Sequence, residues 1–222
     1  MLKNWKFPFG LRTTDVDDTP VDGATTAPIS SNWANDHATD IDAHMSDIWQ
    51  TLRTGEYYNP LPITGNGEVA LVANQLYGFI YPVIRSITFD RIRAYVATLA
   101  AGKFVRLGIY NTGTNLHPGT LLLDGGAVSV GAAGAVTVTI SQQLTKGIYF
   151  VAFVSDGTPG IQFLSGRTTP LGISSTYIWT PKEYWYVAQA YGALPTTFPT
   201  ATLLDDGGSY IGAIDMRVLS LD

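Results

Sequence analysis

The chain has 222 residues, a net charge of −5, 45% hydrophobic residues and only 14% charged residues. An ordinary soluble domain carries about 25% charged residues, so this composition suits an all-β protein with much of its surface covered by neighbouring copies. Cysteine is absent, which excludes disulfides, thiol catalysis and Cys-zinc sites.

Residues 1–55 hold four basic side chains (Lys3, Lys6, Arg12, Arg53) against eight aspartates, and no basic patch occurs elsewhere. Phosphate binding needs clustered Lys and Arg, so nucleic acid is not an expected partner. The acidic bias argues equally against an anionic membrane surface. No stretch reaches the ~20 apolar residues of a spanning helix. The start, MLKNWKFPFGLR, lacks the apolar run of a signal peptide. These features predict a product made in the cytoplasm, with no membrane insertion.

Residues 1–30 read as an extended docking arm. TTDVDDTPVDGATTAPISS has no apolar period and cannot offset its own ordering entropy. Ahead of it, Trp5, Phe7, Phe9 and Leu11 alternate with polar or small residues, as a peptide seeking a partner surface would.

Residues 31–55 predict a short α-helix. Ser30, Ser31 and Asn32 supply the N-cap and Gly55 the stop. The apolar positions Ala34, Ala38, Ile41, Met45, Ile48 and Leu52 are spaced 4, 3, 4, 3 and 4 apart, a heptad seam. That stripe predicts self-association, packing on its own sandwich being the alternative. His37 and His44 flank the seam and read as solvated, with no metal expected; the alternative is a metal-binding or pH-sensitive ring, since in a trimer each would recur three times near the axis.

From Glu56 to the end the period changes to two, and residues 56–222 predict a jelly-roll-like β-sandwich. In SITFDRIRAYVAT, Ile87 and Phe89 are odd, whereas Ile92, Ala94 and Val96 are even. A bulge near Asp90–Arg91 would restore one inward face. Val105, Leu107 and Ile109 share a face, as do Val136, Val138 and Ile140. GIYFVAFVSD is apolar on both faces, the pattern of a strand covered on both sides. The end alternates Ile214, Met216, Val218 and Ser220 against Asp215, Arg217, Leu219 and Leu221. Residues 166–213 are irregular and rich in Pro, Thr and aromatics, predicting long loops or edge hairpins.

The runs RLGIY (Arg106–Tyr110), Pro118–Gly119, LLLDGG (Leu121–Gly126) and L-x-x-G-x-Y-x-x-A-x-x-S-D-G (Leu144–Gly157) resemble a sandwich domain of bacteriophage tail-fibre, head-fibre and minor tail proteins. SSNWANDHATDIDAHMSDI is similar to segments that precede such domains, so the likeness spans residues 31–165. It implies a non-catalytic virion component, often trimeric, located on the head or tail. It also implies other virion proteins as partners through the arm, and an adhesive or decorative role at the host surface.

Little else carries chemistry. Gly65–Ala70 fits G-x-G-x-x-A, but Pro60 and Pro62 precede it and no helix is predicted after it, so it reads as a hairpin loop. Asp15, Asp17, Asp18 and Asp22 lack calcium-loop spacing. Asp205–Gly208 reads as a tight turn, His117 as a loop residue, and G-x-S-x-G is absent. No cofactor is expected. The aromatics Tyr177, Trp179, Tyr184, Trp185, Tyr186 and Tyr191 form the candidate contact with a ligand or partner, because exposed rings stack on sugars or anchor proteins; the competing reading is that half of them fill the sandwich core or a subunit interface, since Trp and Tyr are highly buried on average. They keep two alternatives open, a carbohydrate-binding module and a glycan-degrading tailspike-type enzyme.

Overall fold

The alternation in the middle of the chain is realised as strands, and the protein is an all-β sandwich. The computed structural model describes residues 52–59, 65–165, 184–200, 204–206, 211–212 and 214–221. The docking arm with Trp5, Phe7, Phe9 and Leu11 lies outside these residues. So do Ala34, Ala38, Ile41, Met45 and Ile48 of the heptad seam, and both of its histidines.

The strands are β1 (Tyr57–Tyr58), β2 (Gly65–Ala70), β3 (Gln75–Val83), β4 (Ile87–Thr98), β5 (Phe104–Thr112), β6 (Pro118–Ser129), β7 (Gly134–Leu144), β8 (Gly147–Ser155), β9 (Gly160–Ser165), β10 (Tyr184–Ala188), β11 (Leu204–Asp206), β12 (Ile211–Gly212) and β13 (Ile214–Leu221). One sheet runs β1-β13-β4-β9-β12, with β7 also pairing β4 and β2 also pairing β9. The other runs β11-β10-β3-β8-β5-β6. From β3 to β10 the chain changes sheet at every step except β5 to β6, the crossing habit of a jelly-roll-like sandwich.

The main core lies between the sheets. Ile87, Phe89, Ile92, Val96 and Met216 meet Phe79, Tyr81, Leu107, Ile109 and Phe153 there. The expected bulge in β4 is present: the β4–β7 register shifts between Phe89 and Arg91, and both halves of the strand then turn inward. Strand β8 is buried on both faces as its sequence requires. Val151 and Phe153 join the main core, whereas Phe150, Ala152 and Val154 face a second cluster. Residues 190–200 cover that outer face, with Leu194 and Phe198 inserted beside Leu76, Ile80 and Tyr110.

The four motifs singled out in the sequence are tied to one another. Arg106 of RLGIY donates from Nε to Asp124 of LLLDGG at 2.7 Å. The same carboxylate accepts from the backbone N–H groups of Gly126 at 3.1 Å and Leu194 at 3.0 Å. Asp156 of the Ser-Asp-Gly turn accepts from Phe104 N at 2.7 Å, and Ser155 donates to Phe104 O at 2.9 Å. A Cβ on Gly119 would lie 2.9 Å from Gly113 N, so the Pro-Gly pair marks a close backbone approach. These letters therefore encode closure of the β5–β6 and β8–β9 ends.

Four expectations change. Leu52 and Arg53 are not helical, and Leu52 packs against the sandwich core instead of continuing a seam; the left-handed Gly55 (φ +84°) follows, and its N–H bonds Val218 O. Gly65–Ala70 is strand β2, not a hairpin loop, because Gly67 lets the Phe163 ring lie where a Cβ would be. Leu221 packs on the core instead of Ser220, because β13 shifts register between Val218 and Ser220. Asp205 and Asp206 belong to β11, paired with Trp185 and Tyr184. Residues 184–188 form strand β10, paired with β3 over its whole length and with β11 at the edge of the sheet, which agrees with the edge-hairpin option for this region.

Candidate functional site

Strand β10 reads Tyr-Trp-Tyr-Val-Ala, and alternation sends its aromatics to opposite faces. Tyr184 and Tyr186 point between the sheets, whereas Trp185 and Val187 join the second cluster. Antiparallel register with β3 sets Tyr184 opposite Phe79, Tyr186 opposite Tyr77 and Ala188 opposite Gln75. The outcome is an array of side chains on one face: Gln75, Tyr77 and Phe79 on β3, beside Ala188, Tyr186 and Tyr184 on β10.

This array forms one wall of a cleft of about 310 Å³. Phe153 of β8 extends the wall, and Val69, Ala70, Leu71, Val72 and Ile161 line the opposite side from β2, the turn after it and β9. The volume lies at the lower end of the ~300–1,000 Å³ typical of small-molecule sites. The rings brace one another, with centroids 5.9 Å apart for Tyr184–Tyr186, 5.3 Å for Phe79–Tyr184 and 5.0 Å for Tyr77–Phe153. Val72 N donates to the Tyr77 hydroxyl at 3.1 Å, so Tyr77 also holds the β2–β3 turn.

None of the lining side chains is charged. The cleft can therefore stack rings and exchange hydrogen bonds, but it supplies no carboxylate or imidazole for proton transfer. The Gln75 amide and the Tyr186 hydroxyl have no hydrogen-bond partner among the described residues.

The six aromatics named from sequence separate. Tyr184 and Tyr186 line the cleft. Trp185 is 9% exposed on the other face. Its indole N–H donates to Leu116 O at 2.9 Å, and the His117 ring meets it edge-on at 4.5 Å. Trp185 is thus a packing residue, and His117 is its neighbour, not merely a loop residue. Tyr191 packs on the second cluster, with its N–H bonded to Asn74 Oδ1; burial first, then Asp156, pushes its pKa up. Tyr177 and Trp179 lie outside the described residues. Sequence reasoning missed Gln75, Tyr77, Phe79 and Phe153, although the Tyr77, Phe79, Tyr81 alternation was the available signal.

The carboxylates outside the cleft serve the sheets. Arg93 Nε donates to Asp215 at 3.1 Å and lies 3.8 Å over the Tyr57 ring. Arg217 Nε donates to Asp90 at 2.9 Å, and that bond is the main cause of the lowered Asp90 pKa. For Asp124, burial opposes ionisation. The Arg106 bond and the Leu194 and Gly126 N–H groups outweigh it, so its pKa also falls. Among the described residues no three His, Asp or Glu side chains gather as a metal site, and no helix is long and apolar enough to cross a membrane.

No family model and no curated protein matches the chain. Among solved structures, the chain is similar to the cysteine protease and lectin-like domains of Cwp84, a surface layer associated protein of Clostridium difficile. The identity is 12% and the TM-score 0.44, over 69% of this chain. The match spans 36% of that structure's chain.

Proposed function

We propose that this chain is a non-catalytic structural protein of a bacteriophage particle: a fibre, spike or minor head or tail appendage. Its N-terminal arm docks onto other virion proteins, its helix joins copies into a homotrimer, and its sandwich is presented for host-surface adhesion or decoration. The protein is made in the host cytoplasm and carried on the particle surface. The observation that carries this reading is the mutual bonding of the phage-like motifs, Arg106 to Asp124 and the Ser155–Gly157 turn to β5. The pairing of Asp90, Asp124 and Asp215 with arginines supports a structural role for acids that a glycosidase would need.

Light scattering on the intact chain and on residues 52–222 tests the assembly. A trimer that becomes a monomer on truncation supports a fibre subunit, whereas an intact monomer removes the helix as an assembly device. Release of reducing ends from a host polysaccharide would replace the reading with a tailspike-type enzyme. The cleft specifically favours a second reading, a carbohydrate-binding module.

A further inference from the structure

We propose that the cleft between β2–β9 and β3–β10 binds one neutral pyranose residue of a glycan, deepening the adhesive reading above and resting on it. Three observations carry this. The lining side chains hold no charge, which disfavours phosphorylated, carboxylated or cationic ligands, since a burial site for a charge needs a partner. The Tyr184 and Tyr186 rings stand side by side on one face of β10, with centroids 5.9 Å apart and planes tilted by 48°, and offer two angled apolar ring faces to the C–H face of a sugar ring. Beside that surface lie the Gln75 amide, which both donates and accepts, and the Tyr186 hydroxyl. A ligand with one apolar face and a ring of hydroxyls satisfies both. A purely apolar ligand would instead leave the Gln75 amide and the Tyr186 hydroxyl unpaired on burial, which costs binding free energy.

The geometry also assigns roles. Tyr184 is the stacking residue, Tyr186 stacks and hydrogen-bonds, and Gln75 selects among hydroxyl orientations. Trp185 lies on the opposite face of the same strand and takes no part.

The test uses the intact chain and saturation-transfer NMR with the methyl pyranosides of glucose, galactose, mannose and N-acetylglucosamine. At least one is expected to bind in the millimolar range, with a preference among them. Gln75→Ala and Tyr186→Phe should each weaken that binding threefold or more, while Trp185→Phe leaves it within twofold. Both cleft variants are mild, and an unchanged melting curve shows that they fold. No binding by any of the four sugars overturns the proposal, as does binding that survives the Gln75→Ala, Tyr186→Phe double variant. Binding of 1-anilinonaphthalene-8-sulfonate that Tyr184→Ala abolishes and no sugar displaces also overturns it, and marks an apolar seat. A trimeric intact chain that binds no sugar would remove the cleft proposal and leave the particle role standing.

Discussion

Arg106 and Asp124 meet across β5 and β6 although neither is the other's register partner: Arg106 faces Ala127 and Asp124 faces Gly108. The shift between Leu107 and Gly108, with Gly126 at φ +94°, brings them to 2.7 Å. Because Asp124 also holds Leu194 N, one carboxylate joins the bulge, the strand pair and the covering segment. Asp124→Ala removes all of these bonds. It is expected to cost about 2–3 kcal/mol, in the range of hydrogen bonds to charged groups. Urea unfolding should show a lower midpoint with an unchanged slope.

Gly108 tolerates no side chain. A Cβ there would lie 2.3 Å from Leu194 Cδ1 and 2.5 Å from the Leu123 carbonyl oxygen. The leucine can turn, but the backbone oxygen cannot. Gly108→Ala should therefore destabilise by about 1–3 kcal/mol, read from the same unfolding curves. Gly126→Ala meets open space and is strained only by its positive φ. Its cost should be about 1 kcal/mol.

Acid should weaken the sandwich through Asp90 and Asp124. Both have lowered pKa values in the fold, against about 3.9 unfolded. Their stabilisation is complete above that value and is lost as pH falls through the folded-state values. Unfolding midpoints should fall steeply below about pH 4. The double variant Asp90→Asn, Asp124→Asn should be weaker at pH 7 and flatter in acid. Tyr81 and Tyr110 act at the other limb. Burial first, and then nearby Asp215 and Asp124, raise their pKa values. Their contribution is present below about pH 10 and is lost as pH rises beyond it.

Trp185→Ala should behave as a core truncation and not as a binding variant. It empties a 9% exposed site beside Phe198 and Leu194 and leaves Leu116 O without its donor. A loss of about 3–5 kcal/mol is expected, checked by thermal unfolding. Tyr186→Phe should leave the melting temperature nearly unchanged.

What was legible in the sequence follows from how much each residue says about its own face. β4 and β7 alternate apolar with polar, so their inward sides, and even the bulge at Asp90–Arg91, could be read directly. β8 was legible for the opposite reason: apolar on both faces, it had to be central. β10 was legible only as a choice between loop and edge hairpin, because Tyr184, Trp185 and Tyr186 are all aromatic and a period of two disappears among like residues. β2 was hidden by glycine, since Gly67 resembles a turn residue until the Phe163 ring is placed over it. Leu221 was missed because β13 carries its own shift after Val218, which no turn residue announces. The cleft could be read only in part. Tyr184 and Tyr186 stood out in sequence, but the partners that make them a wall come from β3 and β8, far away along the chain.

Strand β1 is two residues long and pairs with β13, near the other end of the chain. Its fastenings include the Gly55–Val218 and Val218–Glu56 backbone bonds, the Tyr81 hydroxyl donating to Tyr58 O, and the Arg93 guanidinium over Tyr57. A pull delivered along the polypeptide at Leu52 loads that residue's contact with the core and then this strand, before the longer ladders. The β13–β4 ladder behind it is much longer, from Ile214 opposite Ala94 to Leu221 opposite Ile87. Tension should therefore strip β1 and lengthen the tether by about 3.3 Å per released residue, while the body stays shut. Mechanically, the first strand is a short shock absorber in series with a stiff block.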